Sequence, residues 1–404
     1  MVENGRPVNA HAARRPPLWL AAAAVASAWA ALFSIVRWIL LFAVSPAHDD
    51  VRLYYVAAEA GLRYGWSTIY DQTVLRSVSS SFPEATRAIN EKTFASTPLM
   101  AWLFAPLTQF SEPVAYVLWA ALSVAALGFA WQITVPYTGL AKLTLLLLAI
   151  GLGPVLVTLY FGQPTLLVLA LVAAAWWFCA KKDQPFVAGA CLAMATFLKP
   201  QAVILVPVAL LVGGRYRVVA VWAVGGAALA ALTVASLGST GLTEWWHVVQ
   251  VVQGLPLDTM FTLAGATGSG PLTYLMWGLQ GAIALLIAWR RRREVEIVFA
   301  VGVLGTVATA SYFHNSDYCI LLLPAWLVLR TSPPIWHRVW LLIGIVPMQL
   351  LLTPLLAGPQ LVWDAGWLAI LAVESLPAFN AKAVTPQVVV TARRTDEAPG
   401  RIGL

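Results

Sequence analysis

The feature that most limits what this chain can become is a series of long apolar blocks, led by 18–44, 114–135, 143–161 and 218–237. A hydrocarbon core about 30 Å thick takes roughly 20 apolar residues as a helix. Inside lipid the backbone must satisfy its own donors and acceptors, which leaves helices and closed barrels. These blocks are continuous rather than alternating, so they read as helices. The chain is 60% hydrophobic and 11% charged, whereas a soluble globular chain carries about 25% charged residues. The sequence therefore predicts an all-α integral membrane protein. Block 18–44, interrupted only by Arg37, is too long for the apolar part of a cleaved signal peptide, which runs to about 15 residues.

The net charge of +7 is explained by where the basic residues fall rather than by nucleic acid. Lys and Arg collect in cytoplasmic loops. Spans are expected near 18–44, 113–136, 142–161, 164–180, 186–198, 200–212, 218–237, 271–289, 295–312, 317–330, 336–355 and 361–376. They make about 12 transmembrane or half-membrane helices. With the N-terminus inside, Lys142, Lys181, Lys182, Arg215, Arg217, Arg290 to Arg293, Arg330 and Arg338 all fall in cytoplasmic connections. Both termini are then cytoplasmic, with 1–17 before a single membrane domain, 18–376, and a disordered tail, 377–404, after it. Segment 186–212 must cross an even number of times and is read as two half-depth helices meeting at Lys199 and Pro200, since proline removes a backbone donor.

Two long outside loops are expected, 45–97 and 238–270. The first opens with Asp49 and Asp50 and then repeats apolar residues at Val51, Tyr54, Tyr55, Ala58 and Leu62. That spacing is helical. With Glu59 and Arg63 as an i,i+4 pair on a wet side, it reads as an amphipathic helix in the outer interface.

The candidate functional residues lie on these outside turns, and each has a plainer role beside the chemical one. Asp49 or Asp50 can act as a general base on a sugar hydroxyl; aspartate also caps helix N-termini. Lys199 is a cation inside an apolar run, where charge is by default functional and suits a lipid phosphate, though a long side chain can also snorkel to the interface. His314, in the 311–317 turn, fits a phosphate contact or a proton shuttle, or an ordinary interface position. Tyr54, Gln163 and Asn315 are candidate substrate-binding side chains near the same turns. Cys179, Cys191 and Cys319 have no metal-ligand spacing and imply no disulfide framework. The sequence has no Walker A, HExxH, EF-hand or GxSxG pattern. No metal, no cofactor and no nucleic-acid partner is expected.

Five pieces occur in order: Asp50-Val-Arg-Leu-Tyr-Tyr-Val-Ala-Ala58, then Phe94-Ala-Ser-Thr-Pro98 with Ala105-Pro-Leu107, then Phe161-Gly-Gln163, then Phe197-Leu-Lys-Pro200 after Gly189, then Ser311 to His314. Together they resemble glycosyltransferase family 87, which includes polyprenol-phosphate-mannose-dependent α-mannosyltransferases. The resemblance implies the GT-C bundle, with its site at the outer membrane face. It implies Asp50 as catalytic base, with adjoining Asp49 as the alternative, and Lys199 and His314 flanking the donor phosphate. The reaction implied is an inverting hexosyl transfer, of mannose by family analogy. It runs from a polyprenyl-phosphate donor to a glycolipid or polysaccharide acceptor among the lipids of a bacterial inner membrane, on the periplasmic side. This sequence has Val51 where the family often has Phe, and Pro164-Thr165 where Asn often follows the Gly-Gln pair. A transporter or flippase of lipid-linked saccharides is the rival reading, and a scaffold that keeps the fold without activity is a third.

Overall fold

In the computed structural model, described here over residues 16–44, 49–82, 93–253, 259–351 and 357–376, every regular element among the described residues is a helix. In chain order these are α1 (Leu18–Val44), α2 (Asp49–Tyr64), α3 (Gln72–Ser79), α4 (Pro98–Phe104) and α5 (Glu112–Thr134). Next come α6 (Gly139–Gly151), α7 (Gly153–Phe161), α8 (Thr165–Ala180), α9 (Pro185–Leu198), α10 (Pro200–Val203) and α11 (Leu205–Val212). Then follow α12 (Tyr216–Gln253), α13 (Leu263–Thr267), α14 (Pro271–Arg290) and α15 (Val295–Ala308). A 3-10 turn, Asn315–Leu321, leads into α16 (Leu322–Arg330), α17 (Ile335–Ile343), α18 (Ile345–Leu350) and α19 (Ala357–Glu374). Pro98, Pro113, Pro185, Pro200 and Pro271 stand in the first turns of their helices, where a missing N–H leaves no bond unmade.

Four helices, α1, α5, α12 and α14, are long and apolar enough to cross a membrane, and α6 with α7 passes that test as a pair bent by 58°. The other apolar stretches, α8, α9, α10 with α11, α15 and α17 with α18, are 10–17 residues long, short of the roughly 20 that a straight crossing takes. The 142–161 span is thus divided at Leu152, and the described part of 336–355, which ends at 351, holds two short helices. Helix α15 is buried apart from Glu296 in its first turn, which pairs with Lys181 at 3.3 Å, and it packs against α8, α11, α14, α16 and α19. Beyond that turn it is apolar all round, as suits a central helix. The outer helices are the reverse. Trp29 and Phe33 on α1, Val224 on α12 and Leu275 on α14 are exposed. Such continuous apolar faces suit lipid chains, because a water-soluble surface rarely carries so much contiguous apolar area.

Two expectations change. Helix α2 lacks the expected wet face: residues 51–61 are all buried, and Leu62, expected to point inward, is 52% exposed. The cause is packing on several sides at once, against α3, α4, α5 and α7. Its buried charges are paired, Glu59 with the exposed Arg63 at 2.7 Å and Arg52 with Glu112 at 3.6 Å. Second, 238–253 is helical rather than a loop. It continues α12 beyond a kink at Gly238, whose φ of 62° is left-handed. This arm returns over the first loop, where Trp245 stacks on Tyr70 and Tyr70 on Phe94, with ring centroids 5.8 and 5.2 Å apart. The 1–15 segment and the 377–404 tail lie outside the described residues.

At the α14–α15 turn a polar cluster joins three elements. Arg291 bonds Glu294 through two contacts of 2.7 and 2.5 Å and stands 3.7 Å from Glu374 on α19. His337 on α17 bonds Glu374 at 2.9 Å.

Candidate active site

Beyond the far end of α15, four turns supply one connected set of polar side chains. Asp50 is in the first turn of α2, and Gln163 sits in the turn between α7 and α8. Thr165 opens α8, Lys199 breaks the chain between α9 and α10, and His314 and Asp317 belong to the turn after α15.

The α7–α8 turn is made by Gly162, with a φ of +71° that favours glycine. A Cβ there would lie 2.1 Å from Val51 Cγ2, so the residue next to Asp50 packs directly on the turn. The turn backbone is held by Trp119 Nε1, which donates to the Gly162 carbonyl at 2.7 Å, and by Gln163 N, which donates to the Thr158 carbonyl at 3.0 Å. At the other break, Lys199 has a φ of −153° and a ψ of 79°, outside the helical range, which the following proline enforces.

From this frame the side chains meet in sequence. Gln163 Nε2 donates to Asp50 Oδ2 at 2.6 Å. Lys199 Nζ donates to Gln163 Oε1 at 2.9 Å and to Thr165 Oγ1 at 3.0 Å, and it forms an ion pair with Asp317. Thr165 in turn donates its hydroxyl to Asp317 Oδ1 at 3.0 Å. Asp317 Oδ2 accepts the backbone N–H of His314 at 3.1 Å and lies 3.9 Å from His314 Nδ1. Asp317 is fully buried and Lys199 nearly so, which is why each needs an opposite charge and hydrogen bonds at hand. An ammonium has three N–H donors; those of Lys199 are matched by Gln163, Thr165 and Asp317.

The structure therefore brings Asp50, Gln163, Lys199 and His314 into one cluster. Tyr54 lies one helical turn beyond Asp50, buried edge-on against Phe104 and Phe94 at 5.3 and 6.3 Å. Burial, and then the charge of Asp50, push its hydroxyl well above the usual tyrosine range, so it stays protonated. Asn315 turns elsewhere: its amide donates to the Leu351 carbonyl at 3.2 Å, and its oxygen accepts from Ser316 N at 2.8 Å. Asp49 is the first residue of α2, and its side chain lies outside the described set. Sequence reading passed over Asp317 and Thr165. Asp317 carried a signal, an acid at the edge of an apolar block; a threonine opening a helix carried none. Among the described residues, no three His, Cys, Asp or Glu side chains gather as metal ligands would.

Beside the cluster an apolar groove of about 380 Å³ runs between α9 and α12, lined by Thr196, Phe197, Trp222, Ala223, Gly226 and Ala227. Its α9 wall ends at Phe197, two residues short of Lys199.

The family model described as glycosyltransferase family 87 matches residues 94–313. That span includes Gln163, Thr165 and Lys199; Asp50 precedes it and His314 follows it directly. No curated protein and no solved structure matches the chain.

Proposed function

The chain belongs to glycosyltransferase family 87, and from that premise we propose that it moves a sugar, mannose in the first instance, from a polyprenyl-phosphate donor to a lipid or polysaccharide acceptor. The reaction runs at the outer face of a bacterial inner membrane and inverts the anomeric centre. One observation carries this reading. A carboxylate, Asp50, and a cation, Lys199, from distant parts of the chain are joined through the single side chain of Gln163.

Asp50 takes the proton of the acceptor hydroxyl as general base, with Asp49 as its alternative. The acceptor oxygen attacks the anomeric carbon opposite the phosphate. The bond between that carbon and the phosphate oxygen breaks, and polyprenyl phosphate leaves with the electron pair. Charge building on the phosphate is stabilised from the Lys199 and His314 side of the cluster, as fixed charges do best where water is scarce. Because the Lys199 N–H groups are engaged, Lys199 contributes its field, and His314 makes the closer contact. The apolar groove beside Phe197 suits the isoprenoid chain. The placing of Lys and Arg in alternate connections supports cytoplasmic termini and an outward-facing Asp50.

The test uses purified protein with radiolabelled polyprenyl-phosphate mannose and extracted membrane acceptors, comparing wild type with Asp50→Asn and Asp49→Asn. Transfer by wild type, reduced about 10²–10⁴-fold in Asp50→Asn, is expected. Equal loss in Asp49→Asn alone moves the base by one residue. No transfer of any polyprenyl-linked sugar, with lipid scrambling in vesicles, overturns the enzyme reading in favour of a flippase.

A further inference from the structure

We propose that Gln163 is a positioning residue, an amide pinned by Lys199 that aims the Asp50 carboxylate, and not a ligand for a sugar hydroxyl. The proposal rests on the glycosyl-transfer reading above and assigns Gln163 a different role within it.

The orientation of the amide follows from its neighbours. Lys199 can only donate and an ionised Asp50 can only accept. The amide oxygen must therefore face Lys199 and the amide nitrogen Asp50, as found. Turned over, the amide would set N–H groups against an ammonium and an oxygen against a carboxylate. Lys199 is fixed in its turn by Thr165 and the buried Asp317, so it cannot follow a rotating amide. The Gly162 turn fixes the backbone from which Gln163 projects. Backbone, oxygen and nitrogen are all held, so the amide nitrogen meets the Asp50 carboxylate from a fixed direction.

The arrangement also solves a chemical problem. A direct contact between Lys199 and Asp50 would spend the carboxylate on an ion pair and leave a poor base. The interposed amide separates the opposite charges by the length of one side chain while passing on orientation. Proton abstraction depends on such aim, since a misplacement near 1 Å can cost about 100-fold. A sugar-binding role would have to use the second amide N–H or the second lone pair of the oxygen, beside the contacts that already fix the side chain.

The experiment is steady-state transfer by the full chain in nanodiscs, with radiolabelled polyprenyl-phosphate mannose and membrane acceptors varied in turn, for wild type, Gln163→Met and Gln163→Glu. The positioning role predicts a kcat lowered about 10–100-fold in Gln163→Met, with the KM of both substrates within about twofold of wild type. Gln163→Glu, which sets a second carboxylate against Asp50, falls further. A raised KM for either substrate with kcat retained overturns the proposal, because that pattern marks lost substrate binding; unchanged kinetics overturns it too. An experimental structure of Gln163→Met supplies a readout independent of turnover. The Asp50 carboxylate is expected to have rotated, and an unmoved carboxylate sinks the proposal even if wild type transfers sugar. An inert wild type whose Gln163→Met structure shows the rotation overturns the transfer reading instead.

Discussion

Lys199 and Asp317 form an ion pair in which the carboxylate is fully buried and the ammonium nearly so. Neither charge could remain there alone. Removing one partner of a buried pair strands the other and costs about 3–5 kcal/mol, whereas replacing both with apolar side chains of similar volume is often neutral. Asp317→Asn should therefore lower the thermal unfolding midpoint in detergent by many degrees. Lys199→Met combined with Asp317→Leu should regain most of that loss without regaining sugar transfer. A single Asp317 variant that melts with wild type would mean that the pair is not what holds these turns together.

The Gly162 turn predicts a tighter link between stability and activity. A β-carbon there meets both a left-handed φ of +71° and Val51 at 2.1 Å. The backbone term alone is about 1–2 kcal/mol, and relieving the clash moves the residue beside Asp50. Gly162→Ala should lose both stability and transfer. Gly139→Ala, with a φ of +57° and open space around its Cβ, controls for the backbone term and should keep transfer. Equal activity of the two variants would separate the turn from Asp50.

Much of this was legible in the sequence, for reasons that can be named. Helix positions followed from unbroken apolarity, and the break at Lys199 from the proline after it. Residues Asp50, Gln163, Lys199 and His314 stood out because polar groups at the ends of apolar blocks are few. Helix α2 misled because its residues have the period of a half-buried helix, while its neighbours α3, α4, α5 and α7 come from parts of the chain that periodicity cannot see. The kinks at Leu152 and Gly238 had local signals that apolarity alone hides: Pro154 opens the helix after Leu152, and Gly238 takes the positive φ that glycine favours. Thr165 became visible only as a partner of Lys199, and the signal that Asp317 carried gained meaning there too. Single-residue reading finds a costly charge but not what balances it.

Helix α19 offers a case where exchanging a buried acid for its amide should help. Asp364 and Gln360 are buried one turn apart. The Gln360 amide donates to Asp364 Oδ1 at 2.8 Å, while Asp364 Oδ2 and Gln360 Oε1 have no partner among the described residues. Buried acceptors without donors cost about 1–3 kcal/mol each. Asp364→Asn keeps the size, removes the ionisable group and brings two N–H donors to a place with surplus oxygens. Its thermal midpoint should equal or exceed that of wild type. A marked drop would show that the carboxylate is matched by something beyond Gln360.

The cluster at the α14–α15 turn separates stability from function. Trp367 Nε1 donates to His337 Nε2 at 2.9 Å, so that nitrogen is an acceptor. The ring hydrogen of a neutral imidazole then sits on Nδ1, 2.9 Å from Glu374 Oε1. Glu374 in turn faces Arg291 at 3.7 Å. His337→Ala strands a buried indole N–H and takes one partner from Glu374, at about 1–3 kcal/mol for each group left unmade. The thermal midpoint should fall clearly. Yet His337 packs near the start of α15, and Asp50, Gln163 and Lys199 gather beyond its end. Measured well below the midpoint, kcat and both KM values for sugar transfer should therefore match wild type, since substitutions that share no partners act independently. A His337→Ala protein that stays folded but changes its KM for the donor would show that the two ends of the bundle are coupled through α15, and the separation argued here would fail.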